Sequence, residues 1–177
     1  MTLLNINRPM QILMVDDDPD DVELFRRALE ECRGRHHLEV ARDGIEAMEL
    51  LRGEGAFVDA VRPDLILLDL NMPRMDGREV LAEVKEDRDL KSIPVIVLTS
   101  SDAPEDILKV YRLQANCYLQ KPADFHQYIH MAKAIEDFWF GIAKLAGSEL
   151  SVRRSGASEA RYRPALDGRA AGIPRSR

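Results

Sequence analysis

The sequence predicts an α/β fold in which a five-stranded parallel sheet is covered by helices on both faces. The first observation is an alternation along the chain between short apolar runs of strand length and segments with a helical apolar period. The second is that two of the runs, LILL and VIVL, are apolar at every position, as strands buried on both sides are. Together these patterns predict five βα units in a doubly wound domain.

Five apolar runs are the predicted strands. They are Gln11–Val15, Leu38–Ala41, Leu65–Leu68, Val95–Leu98 and Cys117–Leu119. Each run is followed by apolar residues three or four positions apart, which is the spacing of a helix that packs one face on a sheet. We expect the first, third and fourth runs to be the best-defined strands.

The helix after the first strand has the clearest start. Asp18 is a suitable N-cap residue and Pro19 suits the first helical turn. Apolar stripes then define the helices: Val22, Phe25, Leu29 and Cys32; Ile45, Met48 and Leu51; Val80, Leu81 and Val84; Ile107, Val110 and Tyr111. The last stripe comprises Ile129, Ala132, Ile135, Phe138, Trp139, Ile142 and Leu145 and predicts about five turns of one α-helix.

Composition excludes a membrane-spanning protein and favours a cytoplasmic one. The 177 residues carry a formal charge of -6 and are 45% hydrophobic, which suffices for one domain with a buried core. A membrane span needs about 18 consecutive apolar residues, and no run here approaches that length. The first ten residues lack the features of a secretory signal. Cys32 and Cys117 are too far apart in sequence to suggest a disulfide framework or a zinc motif.

The last 31 residues differ from the rest of the chain. Residues 147–177 contain seven Arg and three acidic residues, so their formal charge is +4 and the other residues carry -10. They are rich in Gly, Ser, Pro and Ala and lack an apolar period, which predicts a flexible tail or dimer arm. We therefore expect an N-terminal extension at 1–9, a folded domain at 10–146 and a tail at 147–177.

Polar residues follow four of the predicted strands. They are Asp16, Asp17 and Asp18 after the first strand, Asp69 after LILL, Thr99 after VIVL, and Lys121 with Pro122 after CYLQ. In an open parallel sheet the carboxyl ends of the strands form the ligand-binding edge. These side chains are therefore predicted to share one site.

Phosphoryl chemistry with a divalent cation is the interpretation that uses all of these groups. Neighbouring carboxylates repel one another unless a cation is present, and Mg2+ prefers a few carboxylates with one carbonyl, water and phosphate oxygens. Asp16, Asp17 and Asp69 are the candidate ligands, and an aspartate beside the cation can attack phosphorus. Lys121 and Thr99 can bind phosphoryl oxygens. The peptide bond after Lys121 precedes a proline and is a candidate cis bond.

At these positions the sequence resembles the receiver domain of two-component response regulators, over about residues 10–140. The matching segments are VDDD at 15–18, LLDLNMPRMDG at 67–77, IPVIVLTSS at 93–101 and YLQKP at 118–122. The resemblance implies a flavodoxin-like (βα)5 domain that takes a phosphoryl group from a histidine kinase onto Asp69. Such a protein is a phosphoacceptor in signalling rather than an enzyme for an external substrate.

The resemblance also implies a role for each site residue. Asp16, Asp17, Asp69 and the backbone carbonyl of Asn71 correspond to the Mg2+ ligands, Thr99 and Lys121 to the groups that bind the phosphoryl group, and Tyr118 to the switch aromatic. Asp18 and Asp21 have no counterpart, and we interpret them as the cap and first turn of a helix. Phosphorylation would draw in the Thr99 hydroxyl and let Tyr118 turn inward.

A narrower resemblance is to the single-domain response regulators that serve bacterial phytochrome histidine kinases. It depends on YRLQANCYLQKP at 111–122, IEDFWF at 135–140 and an expanded stretch between Leu51 and Leu65. It implies a phytochrome-type kinase as partner and a homodimer through the fourth helix, fifth strand and fifth helix. The candidate dimer contacts are aromatic: Tyr111, Tyr118, Tyr128, Phe138, Trp139 and Phe140. Core packing is the alternative for Phe138 and Trp139. After FWF the chain departs from this subfamily and leads into the Arg-rich tail.

Two other functions are considered. One is a Mg2+-dependent phosphohydrolase whose nucleophile is Asp16, in the D-x-D of residues 16–18; it does not explain the surroundings of Asp69. The other is a transcription factor, but about 31 residues without an apolar stripe cannot build a helix-turn-helix domain, so nucleic-acid binding is disfavoured. His126 and His130 are spaced for a shared metal on the last helix, and we interpret them as exposed polar residues.

Overall fold

A five-stranded parallel sheet forms the centre of the structure, a computed structural model that describes residues 8–146. Its strands are β1 (Met10–Val15), β2 (His36–Ala41), β3 (Leu65–Leu68), β4 (Val95–Thr99) and β5 (Cys117–Gln120). They lie in the order β2-β1-β3-β4-β5, and every neighbouring pair is parallel. The order changes direction between β1 and β3, which is where such sheets place their ligand crevice. The predicted fold class is confirmed.

Five α-helices connect the strands. They are α1 (Pro19–Glu30), α2 (Gly44–Arg52), α3 (Gly77–Glu86), α4 (Pro104–Arg112) and α5 (Phe125–Ile135). A short 3-10 turn at Gly55–Phe57 lies in the expanded stretch between α2 and β3. Aspartate side chains cap four of the helices: Asp18 for α1, Asp43 for α2, Asp76 for α3 and Asp124 for α5.

The helices lie on both faces of the sheet because alternate strand residues point to opposite sides. Leu13 and Val15 of β1 pack with buried residues of α2, α3 and α4. Ile12 and Met14 of the same strand pack with buried residues of α1 and α5. The interior strands β3 and β4 are buried at every position, as their unbroken apolar sequence predicts.

The last helix differs from the prediction. The α-helix ends at Ile135, and Glu136–Ile142 continues it as a π-helix, shown by a hydrogen bond from the Ala143 N–H to the Phe138 carbonyl. A π turn holds more residues than an α turn, so side chains beyond Ile135 rotate away from the predicted stripe. Phe138 and Ile142 are consequently exposed, and Phe140 is buried in the α1 and α5 cluster.

Within residues 8–146 no helix is long and apolar enough to cross a membrane. The predicted extension at 1–9 lies almost wholly outside the described residues, and the predicted tail at 147–177 lies entirely outside them.

Candidate functional site

Two aspartates directly follow β1 and differ in their exposure. Asp16 is only 2% exposed, and its Oδ1 accepts a hydrogen bond from the Asp18 N–H over 3.0 Å. Asp17 is exposed to solvent. The Asp18 carboxylate accepts a hydrogen bond from the Asp20 N–H and caps α1, so the helix start fixes the direction in which the chain leaves the strand. Asp18 is not part of the cluster formed by the carboxylate oxygens of Asp16, Asp17 and Asp69, which disfavours it as the acid or base of a D-x-D hydrolase.

Asp69 follows β3 directly and is buried, with 6% of its surface exposed. Its Oδ1 accepts a hydrogen bond from the Asn71 N–H over 3.3 Å. The loop then returns to the strand end, where the Gly77 N–H donates to the Leu70 carbonyl over 2.9 Å. A Cβ at Gly77 would overlap the Asp69 carbonyl oxygen and would lie 2.8 Å from the Cα of Leu70. Only glycine therefore allows α3 to begin this close to Asp69.

The Lys121 ammonium joins three carboxylates at this edge of the sheet. Its Nζ lies 2.8 Å from Asp16 Oδ2, 2.8 Å from Asp21 Oδ2 and 2.9 Å from Asp69 Oδ2. The backbone N–H of Lys121 donates to the Thr99 carbonyl over 2.9 Å and so continues the pairing of β4 with β5. Strand pairing thus determines where the lysine side chain begins, and the carboxylates determine where it ends.

Burial and the lysine act in opposite directions on these charges. Burial raises the pKa of the Asp16 carboxyl to about 6, although hydrogen bonds from Lys121 and from the Asp18 amide oppose the rise. Burial also disfavours the Lys121 ammonium, but hydrogen bonds to Asp16, Asp21 and Asp69 outweigh it and raise the pKa of that lysine. The site therefore holds more negative charge than one lysine neutralises.

A divalent cation fits this donor set. Ligand oxygens of Asp16, Asp17 and Asp69 all lie within 4.8 Å of one another. Hard oxygen donors carrying a net negative charge suit Mg2+, Ca2+ or Mn2+ rather than zinc, which prefers nitrogen and sulfur ligands. The raised pKa of Asp16 agrees with this, because burial disfavours its charged carboxylate and a bound cation would stabilise that charged form.

Thr99 and Tyr118 both contact Ser101, which lies in the loop after β4. Thr99 ends β4 and is fully buried, and its hydroxyl oxygen accepts a long hydrogen bond, 3.5 Å, from the Ser101 N–H. The Tyr118 hydroxyl donates to the Ser101 carbonyl over 2.7 Å. Ser101 Oγ in turn donates to Asp106 over 2.8 Å, and Arg78 of α3 donates to the same carboxylate over 2.8 Å. These contacts tie the loop after β4 to both α3 and α4.

Asp21 is the site residue that sequence reasoning missed. It lies in the first turn of α1, as expected, but its carboxylate contacts Lys121 instead of remaining in solvent. Its other oxygen accepts a hydrogen bond from the Tyr128 hydroxyl over 2.7 Å. The sequence carried no distinct signal for this contact, because a carboxylate in the first turn of a helix is equally typical of a solvated helix start.

The predicted dimer face needs correction at two positions. Tyr128 is fully buried and Phe140 is buried within the cluster formed by α1 and α5, so neither ring is available to a second chain. Tyr111 is 49% exposed and Phe138 51% exposed. Trp139 is partly buried and packs edge to face on Phe138, with ring centroids 5.2 Å apart.

The candidate cis peptide bond between Lys121 and Pro122 is trans in the structure. Every other peptide bond among residues 8–146 is trans as well. Lys121 reaches the site through its carboxylate contacts and its strand position instead. His126 and His130 are exposed, as expected, and their Nε2 atoms lie 3.3 Å apart.

The raised pKa of Asp16 leads to a prediction about stability. The folded carboxyl, with a pKa of about 6 against 3.8 in the unfolded chain, binds a proton more tightly than the unfolded one. The contribution of Asp16 to the free energy of unfolding of the metal-free protein should therefore fall as pH rises from about 4 to about 6. Asp16→Asn should remove this decline and raise stability at about pH 7.5 by about 1–3 kcal/mol.

Urea unfolding at several pH values, followed by circular dichroism, measures this difference. Adding a divalent cation should reduce the difference in unfolding free energy between Asp16→Asn and wild type, because the cation stabilises the wild-type carboxylates. Identical pH profiles for the two proteins would contradict the assignment of the pKa to Asp16.

The sequence of the chain is similar to those of known proteins. A family model described as the response regulator receiver domain matches residues 12–133. The response regulator Rcp1 of Synechocystis sp. (strain ATCC 27184 / PCC 6803 / Kazusa) is 45% identical over 133 residues, which are 75% of this chain and 90% of Rcp1.

Solved structures show the same fold. The phosphorylated cyanobacterial phytochrome response regulator RcpA has a TM-score of 0.75 and 47% identity, over 78% of this chain and 99% of RcpA. The Mn(2+)-bound form of Rcp1 has a TM-score of 0.73 and 44% identity, over 77% of this chain and 99% of Rcp1. The bacteriophytochrome response regulator AtBRR has a TM-score of 0.64 and 40% identity, over 78% of this chain and 99% of AtBRR.

Proposed function

The chain belongs to the response regulator receiver family, and on this premise we propose that Asp69 accepts a phosphoryl group from a histidine kinase. The observation that carries the proposal is the position of Asp69, buried beside Asp16 and 2.9 Å from the Lys121 ammonium. A carboxylate held next to a fixed positive charge and a cation-binding cluster is suited to receive a group that brings further negative charge.

In the proposed reaction a carboxylate oxygen of Asp69 attacks the phosphorus of phosphohistidine. The new O–P bond forms while the P–N bond to the kinase breaks, and the histidine nitrogen keeps the electron pair. Lys121 remains an ammonium throughout, and one of its N–H groups passes from Asp69 to a phosphoryl oxygen. The product is an acyl phosphate on Asp69.

We propose that the cation is Mg2+, held by Asp16, Asp17, Asp69 and the backbone carbonyl of Asn71. When bound, it supplies positive charge that offsets the charge on the phosphoryl oxygens. Support comes from the shared 4.8 Å cluster of carboxylate oxygens and from the raised pKa of Asp16. The similarity to Rcp1, which has been solved in a Mn(2+)-bound form, agrees with a site for a hard divalent cation.

The proposed output is a conformational switch. A phosphoryl group adds about -1.5 to -2 charges and three acceptor oxygens, and we propose that the Thr99 hydroxyl turns to donate to one of them. The loop after β4 would move with Thr99, because Ser101 donates to its hydroxyl oxygen. Tyr118, whose hydroxyl now donates to the Ser101 carbonyl, is then released to turn inward.

We propose a phytochrome-type histidine kinase as the phosphoryl donor. Similarity to RcpA, a cyanobacterial phytochrome response regulator, and to AtBRR, a bacteriophytochrome response regulator, supports this partner. Timed phosphotransfer from each histidine kinase of the source cell tests it. A phytochrome-type kinase should transfer fastest, and an equal or faster rate from an unrelated kinase would contradict the assignment.

We also propose a homodimer through α4, β5 and α5. The exposed rings of Tyr111 and Phe138 and the partly buried rings of Tyr118 and Trp139 are the candidate contacts. Sedimentation analysis should show a dimer that Phe138→Lys weakens. The predicted boundaries remain part of the proposal, with the receiver domain at 10–146 and extensions at 1–9 and 147–177.

Mapping the modified residue tests the proposed function. The full chain is incubated with acetyl phosphate and MgCl2, the acyl phosphate is reduced with borohydride, and the peptides are sequenced by mass spectrometry. Reduction should convert Asp69 to homoserine. Modification of Asp16 instead would favour the phosphohydrolase, and no modification at all would contradict the proposal.

A further inference from the structure

We propose that Asp21 and Tyr128 form a positioning pair that holds the Lys121 ammonium beside Asp69. The inference deepens the proposed function and depends on it for its chemical meaning. Both residues act through Lys121, so they are positioning residues rather than catalytic ones. They add one residue of α1 and one residue of α5 to a site that is otherwise built from residues at strand ends.

The contacts form a continuous chain from α5 to the phosphoacceptor. The Tyr128 hydroxyl donates to Asp21 Oδ1 over 2.7 Å, and the other oxygen of that carboxylate, Oδ2, accepts from Lys121 Nζ over 2.8 Å. Nζ also lies 2.9 Å from Asp69 Oδ2. Asp21 thus binds Tyr128 with one carboxylate oxygen and Lys121 with the other.

Packing does not explain the Tyr128 hydroxyl. The ring is fully buried among residues of α1 and α5, where phenylalanine would fill the same space. A buried hydroxyl costs free energy unless it has a hydrogen-bond partner, and here the partner is Asp21. Burial, together with the contact to Asp21, raises the pKa of Tyr128, so the phenol stays protonated and remains a donor. Its hydroxyl therefore orients the Asp21 carboxylate.

Asp21 has a task that Asp16 and Asp69 cannot perform. An ammonium has three N–H donors, and Lys121 has three carboxylate partners. Asp16 and Asp69 belong to the cation-binding cluster, and Asp21 lies outside it. When a cation and a phosphoryl group engage those two aspartates, the contact with Asp21 remains. It keeps Nζ within reach of a phosphoryl oxygen without the entropic cost of ordering a free lysine side chain.

The first test observes Lys121 without any phosphorylation. The full chain has six lysines, so the 1H–15N signal of the Lys121 ammonium can be assigned by its loss in Lys121→Arg. Asp21→Asn and Tyr128→Phe should shift this signal and broaden it by faster exchange with water. The matched control is Asp20→Asn, which makes the same charge change one position earlier, at an exposed site in the same turn. It should leave the signal unchanged.

The second test measures phosphorylation by acetyl phosphate with saturating MgCl2. Tyr128→Phe should lower the maximal rate of phosphorylation about three- to tenfold, which corresponds to the loss of one hydrogen bond. The acetyl phosphate concentration that gives half the maximal rate should change by less than about twofold. The Mg2+ affinity should also change by less than about twofold. Asp20→Asn should change the rate by less than about twofold. The double variant Asp21→Asn with Tyr128→Phe should be no slower than Asp21→Asn alone, because the two residues act in series.

The outcomes separate this proposal from the proposed function. An unchanged Lys121 signal and rate in folded Tyr128→Phe would overturn the positioning pair, as would an equal loss of rate in Asp20→Asn. If Tyr128→Phe does not fold, Asp21→Asn decides, since that side chain is only partly buried. If the wild-type chain is not phosphorylated, the proposed function fails, whereas the ammonium signal still tests how Lys121 is held.

Discussion

Asp69→Asn is expected to abolish phosphorylation of the chain, lowering the rate by at least about a thousandfold. An amide is a far weaker nucleophile toward phosphorus than a carboxylate, and it cannot form the same acyl phosphate. The fold should remain intact, because asparagine has nearly the same shape and Lys121 keeps Asp16 and Asp21 as partners. Incorporation of radioactive phosphate from acetyl phosphate with MgCl2 measures the loss.

Asp59→Asn is the control for that experiment, since Asp59 is exposed and lies in the segment before β3. It should be phosphorylated at the wild-type rate. Retained, acid-labile phosphate on Asp69→Asn would show that another residue is the acceptor. Mapping of that phosphate to Asp16 would restore the phosphohydrolase interpretation.

Gly77→Ala should destabilise the protein by about 2–4 kcal/mol, a large fraction of the stability of a domain of this size. The added methyl group would overlap the Asp69 carbonyl oxygen and press on the Leu70 backbone, and neither can rotate away as a side chain could. The start of α3 and the strand end would have to separate, which displaces Asp69. Chemical denaturation gives the change in unfolding free energy.

Gly141→Ala is the matched control for this substitution. A Cβ there would meet its nearest neighbour, the Glu136 carbonyl oxygen, at 3.8 Å, an ordinary contact. Its stability should stay within about 0.5 kcal/mol of wild type. Equal effects of the two substitutions would mean that backbone flexibility, and not the close approach to Asp69, decides the outcome at Gly77.

The strand-end residues could be predicted because one geometric rule places them. Parallel strands end at the same edge, so Asp16, Asp69 and Lys121 had to converge once the strands were identified. The apolar runs identified the strands, and the types of residue that follow them suggested the chemistry. The structure places the carboxylates of Asp16 and Asp69 at 2.8 and 2.9 Å from the same ammonium. The sequence predicts that these groups are neighbours but does not give their distances.

Asp21 and Tyr128 were misinterpreted because helices, unlike strands in a sheet, have no fixed register with one another. Which side of α5 faces α1 depends on packing, and an aromatic residue near a helix start fits either a surface or a core. The same uncertainty applies to Phe140, whose burial follows from the change to π-helical turns after Ile135. A continuous α-helical period cannot reveal that change.

The start of α4 has a consequence for local unfolding. The residue before it, Ala103, gives no side-chain cap, whereas aspartates cap the other four α-helices of residues 8–146. Of the residues in α4 only Val110 is buried, and its first turn is held mainly by Asp106 through Ser101 and Arg78. Opening this helix therefore costs less free energy than opening its neighbours, and its amide protons should exchange first. We therefore expect α4 to open and re-dock locally while the sheet stays folded.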